Sequence, residues 1–433
     1  MMVQRMKKAF DAKRAFVVLM CIAIFLHVLF IVCPDLLSPR INAFSQQLGL
    51  YDDFEWLFSD FFYVVTAIDC GSPYVGEFSN PNYPPLANLV FLPFSYTGDY
   101  AGMTLAEART YLPGLFACVF FILLSSALFF YSLRLLGDKY NFRGWPLLLF
   151  LFVPVFLFGV HRANVVLLAG ACVNFFLLYY DSEDPKERKK GLLFLCLAVA
   201  LKLWPVLLGL LILVSPHNKG NRWKEVLWCM VVTTLLMTLP FLCFQGGFKN
   251  IPYMIGGLVG WTDGVQKWCL EFGVHNLGLM LGHVFHLSGK TASMVYFASK
   301  WMTYMMGVLS VFLFFMDKVY WRRLLLLVLV VLMVPDKVFY YYGIYLFPVV
   351  VMYFGIKDKS VWGLLYALCY VLVFSPLHLH YWFLDFENII KIGSVLLWVL
   401  VLVQSSREVL KQWVKRKTNQ TTVHPIEKGV EVV

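Results

Sequence analysis

The chain has 433 residues, of which 60% are hydrophobic and only 14% are charged. Soluble globular proteins carry about 25% charged residues, so this deficit and the repeated long apolar runs exclude an ordinary soluble domain and indicate a polytopic membrane protein. The formal net charge is +10, but the Lys and Arg residues concentrate in short loops between apolar runs, as the positive-inside rule describes for cytoplasmic loops. The charge therefore reflects membrane topology and argues against a nucleic-acid-binding protein.

The N-terminal region predicts one transmembrane helix followed by a long external segment. A basic N-terminus precedes an apolar run at 15–33 that is long enough to span and has no small-x-small cleavage site, so it is predicted as an uncleaved first helix. Residues 34–103 are then external. The stretch 50–68 mixes aromatic and acidic residues, which predicts a helix lying along the interface with one wet face. The apolar stretch 84–96 is too short to span and is predicted as re-entrant or interfacial.

Polar residues interrupt two apolar segments in the middle of the chain. After a helix at about 106–133, two short apolar runs within 144–180 are separated by His-Arg-Ala-Asn at 161–164. The run 191–214 is broken at Lys202 to Pro205 and lies between two loops that read as cytoplasmic, so it is predicted as a hairpin of two short helices. Cations are costly in a bilayer, so we expect Arg162 and Lys202 either to face a polar cavity or anionic ligand, or to snorkel to the interface.

The remaining apolar runs complete a threading of roughly twelve crossings with both termini in the cytoplasm. A helix is predicted at about 225–244, and five more are predicted at about 291–316, 322–334, 338–356, 360–375 and 388–404. We interpret residues 1–433 as a single integral-membrane domain. Its predicted parts are the first helix at 15–33, the external catalytic loop at 34–103, a helical module at 106–244, a second external loop at 245–290, C-terminal helices at 291–404 and a cytoplasmic tail at 405–433.

Several short motifs together resemble a known enzyme family. Asp60 lies three residues before Tyr63 and is followed by Gly-Ser-Pro-Tyr at 71–74, Tyr-Pro-Pro at 83–85 and Pro93. This order resembles the first external loop of the GT-C superfamily of integral-membrane glycosyltransferases, in particular family 87, the polyprenyl-phosphate-mannose-dependent mannosyltransferases. Further pieces follow in the family's order and extend the resemblance over about the first half of the chain: Gly159-x-His-Arg-Ala-Asn164 where the family has Gly-Gln-x-Asn, a cytoplasmic loop, and Gly191 followed by Lys202 and Pro205.

The sequence departs from the family pattern in two later segments. The family often has an Asn-Gln-Ser element where this chain has Val-His-Asn-Leu at 274–277. It also often has Ser-Pro-x-Ser-Trp-x-His-His where this chain has residues 334–342, which contain no histidine. These departures leave open the sugar and the acceptor. The aromatic run Phe339–Tyr342 is interpreted as core or interface packing.

The resemblance implies a fold and a reaction. The expected fold is an all-α polytopic membrane protein, a GT-C-like bundle of about 12 transmembrane helices with a large first external loop that bears an interfacial helix. The expected reaction is the inverting transfer of mannose or a related sugar from a polyprenyl-phosphate-sugar donor to a lipid or cell-envelope glycan acceptor. The site would face the exterior, which is the periplasm if the membrane is a bacterial inner membrane. The implied partners are donor, acceptor and membrane lipids, and no nucleic acid.

The chemistry requires a base for the acceptor hydroxyl and positive charge for the departing phosphate. Family position makes Asp60 the predicted base, with Asp52, Asp53 and Asp69 as alternatives nearby in sequence. Arg162 and Lys202 are predicted to contact the phosphate, since both lie at external turns in this threading. The other predicted substrate-binding residues are His275, Asn164, Tyr63 and Tyr83.

No metal or cofactor site is predicted from the sequence. The ten cysteines contain no Cys-x-x-Cys pair and no spacing typical of zinc. The histidine pairs 283/286 and 378/380 lack a third ligand nearby. Some GT-C enzymes use a divalent metal and others do not, and no acidic cluster in this sequence decides between them.

Two other functions use similar features. A transporter or flippase of a lipid-linked saccharide also has intramembrane charges and broken helices, but its two halves are usually related, whereas here one large external loop near the N-terminus breaks such a symmetry. An envelope-polysaccharide polymerase or ligase would share the lipid-linked substrate. Both remain alternatives to the glycosyltransferase at the level of sequence.

Overall fold

The computed structural model describes residues 11–32, 57–76, 83–217, 220–262, 271–272, 278, 281–282, 285–335, 338–356, 358, 360–375 and 386–421. The described residues are mostly helical. The α-helices of the N-terminal half are α1 (Ala12–Val32), α2 (Ser59–Asp69), α3 (Pro85–Ser95), α4 (Leu105–Thr110), α5 (Leu112–Tyr140), α6 (Pro154–His161), α7 (Val166–Tyr179), α8 (Pro185–Leu201) and α9 (Leu210–Val214). Those of the C-terminal half are α10 (Arg222–Thr238), α11 (Ile251–Thr262), α12 (Gly289–Met316), α13 (Tyr320–Met333), α14 (Leu346–Gly355), α15 (Val361–Phe374) and α16 (Phe386–Thr421).

Short 3₁₀ segments and one small ladder connect these helices. The 3₁₀ segments are Tyr100–Gly102, Trp145–Phe152, Trp204–Gly209, Leu239–Cys243, Gly247–Asn250 and Tyr340–Tyr345. Strand β1 (Glu271–Phe272) pairs antiparallel with β2 (Val338–Phe339), with Phe272 opposite Val338. The ladder joins part of the predicted second external loop to the segment that leads into the tyrosine-rich 3₁₀ turn.

Five helices within the described residues are long and apolar enough to cross a membrane. They are Ala12–Leu29, Leu112–Tyr140, Arg222–Cys243, Gly289–Met316 and Ile389–Lys415. Several shorter apolar helices, of 10 to 17 residues, make up much of the remaining apolar sequence. A full crossing needs about 20 apolar residues, so the structure confirms a helical membrane protein but does not confirm the predicted count of about twelve crossings.

Both interrupted segments are broken where the sequence predicted. Helix α6 ends at His161 and α7 begins at Val166, while α8 ends at Leu201 and a 3₁₀ turn follows from Trp204. Helices α7 and α8 then run side by side. A Cβ atom added at Gly191 would lie 2.6 Å from the backbone nitrogen of Tyr180, so only a glycine permits this close approach.

Two predicted elements differ from the structure. Helix α2 was expected to lie along the interface with one wet face, but nine of its eleven residues are buried, including Asp60. The prediction assumed that a carboxylate needs water, whereas here the carboxylate meets an internal partner. Helix α16 was expected to end near 404 and instead continues to Thr421, supported by a 2.7 Å ion pair between Lys411 and Glu408 on adjacent turns.

Candidate functional site

Helix α2 places Asp60 inside the protein. The residue before the helix, Phe58, has a left-handed backbone conformation with φ 55°, and its N–H donates to the carbonyl of His161 at 2.7 Å. The N–H of Asp60 donates to the carbonyl of Arg162 at 3.2 Å. These two hydrogen bonds dock the start of α2 onto the turn after α6, and only 5% of the Asp60 surface is exposed.

The turn after α6 aims two side chains at Asp60. The N–H of Asn164 donates to the carbonyl of Gly159 at 3.1 Å and the N–H of Ala163 to that of Val160 at 2.9 Å, which is the hydrogen-bond pattern of a Schellman cap. Ala163 occupies the left-handed position of this cap, with φ 48°, where glycine is the usual residue. Because the chain reverses sharply there, the residues on either side of Ala163 both face the carboxylate.

Both oxygens of the Asp60 carboxylate are held. The Nη2 of Arg162 lies 2.6 Å from Oδ1, and the Nδ2 of Asn164 donates to Oδ2. The Oδ1 of Asn164 in turn accepts from the N–H of Val166 at 2.9 Å, which fixes the amide orientation. These two hydrogen bonds fix the orientation of the carboxylate, and each oxygen keeps a further lone pair for a substrate proton.

Tyr83 connects this pair to a second cation. Its hydroxyl accepts from the Nδ2 of Asn164 at 2.7 Å, and the ammonium of Lys202 lies 4.0 Å from the centre of its ring. Tyr83 is almost fully buried. Burial, and to a smaller extent the negative charge of Asp60, raises the pKa of Tyr83 well above its usual value, so the phenol remains a neutral donor.

Lys202 is buried without an anionic partner of its own. Only 7% of its surface is exposed, and its ammonium makes no hydrogen bond or ion pair with any residue that the structure describes. It rests against three tyrosine rings, with 4.0 Å to Tyr83, 5.7 Å to Tyr342 and 5.9 Å to Tyr341. Aromatic faces partly compensate a desolvated cation, but they do not neutralise it.

We call Asp60, Tyr83, Arg162, Asn164 and Lys202 the polar cluster. Its members come from four separate parts of the chain, and Asp60 is 102 residues from Arg162. The cluster contains one carboxylate and two cations, so it carries one positive charge in excess. A buried unmatched charge is costly, and this excess favours an anionic ligand beside Lys202.

The loop before the cluster is fixed by the other motifs of the first external segment. The hydroxyl of Tyr74 donates to the carbonyl of Tyr83 at 3.3 Å and accepts from Asn88 at 2.9 Å. The N–H of Gln245 donates to the carbonyl of Gly71 at 3.0 Å. The Gly-Ser-Pro-Tyr motif therefore connects the backbone of Tyr83 to the segment that follows α10.

The other predicted site residues lie outside the cluster or outside the described residues. Tyr63 is half-buried on α2. His275 and the alternative bases Asp52 and Asp53 lie outside the described residues. The third alternative, Asp69, lies at the far end of α2, where its carboxylate accepts from the N–H of Ala101 at 2.8 Å.

Sequence reasoning missed three aromatic residues of the site. Tyr341 and Tyr342, interpreted from sequence as packing, lie close enough to Lys202 and Asp60 to interact with both charges. Trp204 lies close to the hydroxyl group of Tyr342. A sequence signal for the two tyrosines is a run of tyrosines beside a helix break. Lys202 lies at a break of the same kind.

No group of three or more His, Cys, Asp or Glu side chains among the described residues could hold a metal ion. The polar cluster supplies one carboxylate, and its other members are cations, an amide and a phenol. Such a set suits an anion rather than a cation.

Comparison with known proteins gives one match. The model of glycosyltransferase family 87 matches residues 82–335. No curated protein and no solved structure matches the chain. The matched range contains Tyr83, Arg162, Asn164 and Lys202, while Asp60 precedes it. Because the match covers more than half of the 433 residues, the chain belongs to glycosyltransferase family 87, a family of membrane glycosyltransferases.

Proposed function

We propose that this protein transfers mannose or a related sugar from a polyprenyl-phosphate-linked donor to a hydroxyl of a lipid or cell-envelope glycan, with inversion at the anomeric carbon. The observation that carries the proposal is the polar cluster: a buried, oriented carboxylate beside a buried lysine that has no counter-ion among the described residues. Transfer from a sugar phosphate needs these two groups, a proton acceptor and a cation for the leaving group.

In the proposed reaction Asp60 accepts the proton of the acceptor hydroxyl. The acceptor oxygen forms the new bond to the anomeric carbon while the bond from that carbon to the phosphate oxygen breaks. The electron pair of the broken bond stays on the polyprenyl phosphate, and Lys202 offsets the charge that develops there. Arg162 and Asn164 hold the carboxylate in place but do not contact the leaving group.

The charge of the cluster fits a donor with a single phosphate. A sugar phosphodiester carries one negative charge, which equals the excess positive charge of Asp60, Arg162 and Lys202 taken together. A second negative charge appears on the phosphate only as the sugar leaves, so the lysine interacts more strongly with the transition state than with the bound donor. This stronger interaction with the transition state lowers the activation free energy of sugar transfer.

The direction of α8 supports a site on the external side of the membrane. The helix begins in a loop rich in Lys, Arg, Asp and Glu, of a kind that remains in the cytoplasm. It runs for 17 residues, or about 25 Å, before it ends beside Lys202. We infer that the cluster lies near the outer leaflet, facing the periplasm if the membrane is a bacterial inner membrane.

The test is sugar transfer by purified protein. Labelled polyprenyl-phosphate sugars are supplied to wild type, Asp60→Asn and the matched control Asp69→Asn with a membrane lipid extract as acceptor. The expected result is transfer by wild type and Asp69→Asn, none by Asp60→Asn, and equal donor binding by all three. Transfer by all three would move the base to another carboxylate. No transfer with any donor, together with movement of a lipid-linked saccharide across a vesicle membrane, would replace the proposal with a flippase.

A further inference from the structure

Tyr83 makes contacts toward both chemical ends of the polar cluster. Its hydroxyl accepts from the Nδ2 of Asn164 at 2.7 Å, and the same amide donates to the carboxylate of Asp60. The ammonium of Lys202 lies over the face of its ring, 4.0 Å from the centre. One phenol therefore contacts the cation proposed for the leaving group and reaches the proposed base through a single amide.

The Tyr83 ring is also held through its backbone. The carbonyl of Tyr83 accepts from the hydroxyl of Tyr74 at 3.3 Å. Pro84 follows directly, and Pro85 is the first residue of α3. A proline fixes its own φ and restricts the residue before it to extended conformations. A tyrosine side chain has only two torsions, so the ring cannot turn far without losing its contact with Asn164 or Lys202.

The ammonium of Lys202 and the carboxylate of Asp60 form no ion pair with each other. The ammonium has no hydrogen-bond or ion-pair partner in the part of the chain that the structure describes. Opposite charges attract strongly where water is scarce, and a lysine side chain is flexible, so an unrestrained ammonium would move toward the carboxylate. The ring of Tyr83 gives the cation a different place to rest.

The proposed reaction requires this separation. In an inverting displacement, the acceptor hydroxyl and the leaving phosphate occupy opposite faces of the anomeric carbon, so the base and the cation must lie on opposite sides of the sugar. An ammonium bound to Asp60 would occupy a lone pair that accepts the proton of the acceptor and would be too far from the leaving phosphate.

We propose that Tyr83 is a positioning residue that keeps Lys202 apart from Asp60. Its ring holds the ammonium on the leaving-group side, and its hydroxyl helps to hold the carboxylate through Asn164. The inference rests on the proposed glycosyl transfer. In this role the phenol acts through two neighbouring side chains, whereas the sequence predicted that Tyr83 contacts the substrate itself.

Two substitutions separate the ring from the hydroxyl. Tyr83→Phe keeps the ring beneath Lys202 and removes the hydroxyl. Tyr83→Met removes both, and its flexible side chain fills much of the vacated space. Each variant is made alone and together with Lys202→Met, which removes the ammonium. The measurement is kcat and donor KM of the purified full-length variants, with the labelled polyprenyl-phosphate sugar that wild type uses as donor and a membrane lipid extract as acceptor.

The expected kcat of Tyr83→Phe is about tenfold below that of wild type, as for the loss of one hydrogen bond between uncharged groups, with donor KM unchanged. The kcat of Tyr83→Met should be about 30-fold lower still, as for the loss of an aromatic contact to a desolvated cation. In the Lys202→Met background the two variants should have equal kcat, because no ammonium remains for the ring to hold.

Three results would overturn the inference. A difference between Tyr83→Phe and Tyr83→Met that persists in the Lys202→Met background would show that the ring acts only by packing. Equal kcat for the two variants when Lys202 is present would show that the ring does not hold the ammonium. A raised donor KM in Tyr83→Phe would show that the hydroxyl contacts the donor. If Tyr83→Met does not fold, the donor KM and kcat of Tyr83→Phe still decide between positioning and direct contact.

A buried tyrosine outside the polar cluster provides the control. Tyr366 is fully buried, and its hydroxyl donates to Gln404 at 2.8 Å. Tyr366→Met should lose stability and keep the kcat of each folded molecule. Failure of the underlying reaction gives a different result, because wild type that transfers no sugar from any donor contradicts the proposed function before a variant is measured. Transfer by wild type with any of the three results above contradicts only the role of Tyr83.

Discussion

Among the residues that the structure describes, two buried pairs of aspartate and arginine differ in how many hydrogen bonds join them. Asp317 and Arg322 are joined by two hydrogen bonds of 2.7 and 2.9 Å. They are five residues apart, and Asp317 also accepts from the N–H of Val319 at 2.9 Å. Asp60 and Arg162 share one contact of 2.6 Å across 102 residues, and a second cation, Lys202, lies nearby without a partner among the described residues.

This difference separates a structural ion pair from a candidate active site. The pair at 317 and 322 is local and bidentate, and it joins the turn between α12 and α13. The pair at 60 and 162 is held by long-range contacts and strained turns and leaves a positive charge unmatched. Buried pairs of the first kind hold a fold together when both partners are present, whereas an arrangement of the second kind favours binding an anion.

The largest expected effect is on catalysis by Asp60→Asn. Loss of a general base lowers rates about 10²–10⁴-fold, so the turnover of sugar transfer should fall by this amount. The oxygen of the asparagine can accept from only one of Arg162 and Asn164 while its NH2 group faces the other donor, and the charge of Arg162 loses its partner, so thermal stability in detergent should also fall. If Asp60→Asn unfolds instead of folding without activity, the pair of Asp60 and Arg162 would be structural, like the pair of Asp317 and Arg322.

A large effect on stability is expected from Arg322→Met. Removal of one partner from a buried pair costs about 3–5 kcal/mol because the other charge remains buried. Unfolding of the purified protein, followed by the exposure of its cysteines, should show this loss, while the activity per folded molecule stays normal. A fall in turnover without a fall in stability would show that Asp317 and Arg322 also act in the reaction.

Lys202→Met should lower kcat more than it weakens donor binding. Removal of one group that stabilises developing negative charge typically costs about 10²–10³-fold in rate. Methionine fills the space against the tyrosine rings without the charge, so the protein should fold as well as wild type or better. An unchanged kcat would mean that another cation meets the leaving phosphate.

The smallest effect is expected at the strained turn. Ala163→Val places a β-branched residue in the left-handed conformation, which costs about 1–3 kcal/mol and should shift Arg162 and Asn164 relative to Asp60. Ala163→Gly is the matched control, because glycine adopts this conformation without a steric penalty. We expect Ala163→Val to lose both stability and turnover, and Ala163→Gly to keep both. Equal behaviour of the two variants would mean that the backbone at 163 does not position the site.

Sequence patterns predicted the helix breaks and placed Arg162 and Lys202 on the same side of the membrane as Asp60. A proline and a cation within an apolar run mark a break, and alternating loops place successive turns on the same side of a membrane. The contact between Tyr83 and Asn164 was not predicted, and the roles of these two residues in binding remain predictions.

The contacts that complete the site depend on tertiary packing and could not be predicted from spacing. The contact of the Arg162 guanidinium with Asp60 was not predicted, while the contact expected between Arg162 and phosphate remains a prediction. Tyr341 and Tyr342 reach Lys202 because the 3₁₀ turn that carries them packs on α6, a contact between residues about 180 positions apart in sequence. The wet face expected for α2 was wrong for the same reason, since the carboxylate finds its counter-ion inside the protein.

The two helix breaks also place peptide dipoles at the site. Helix α7 begins at Val166, just after the asparagine that contacts Asp60, so the positive end of its macrodipole lies close to the carboxylate. Helix α8 ends at Leu201, so its negative end lies next to Lys202. Each ionised group is therefore paired with a partial charge that the backbone fixes in direction. In a low-dielectric region such oriented dipoles interact strongly with both side chains without mobile counter-ions from the solvent.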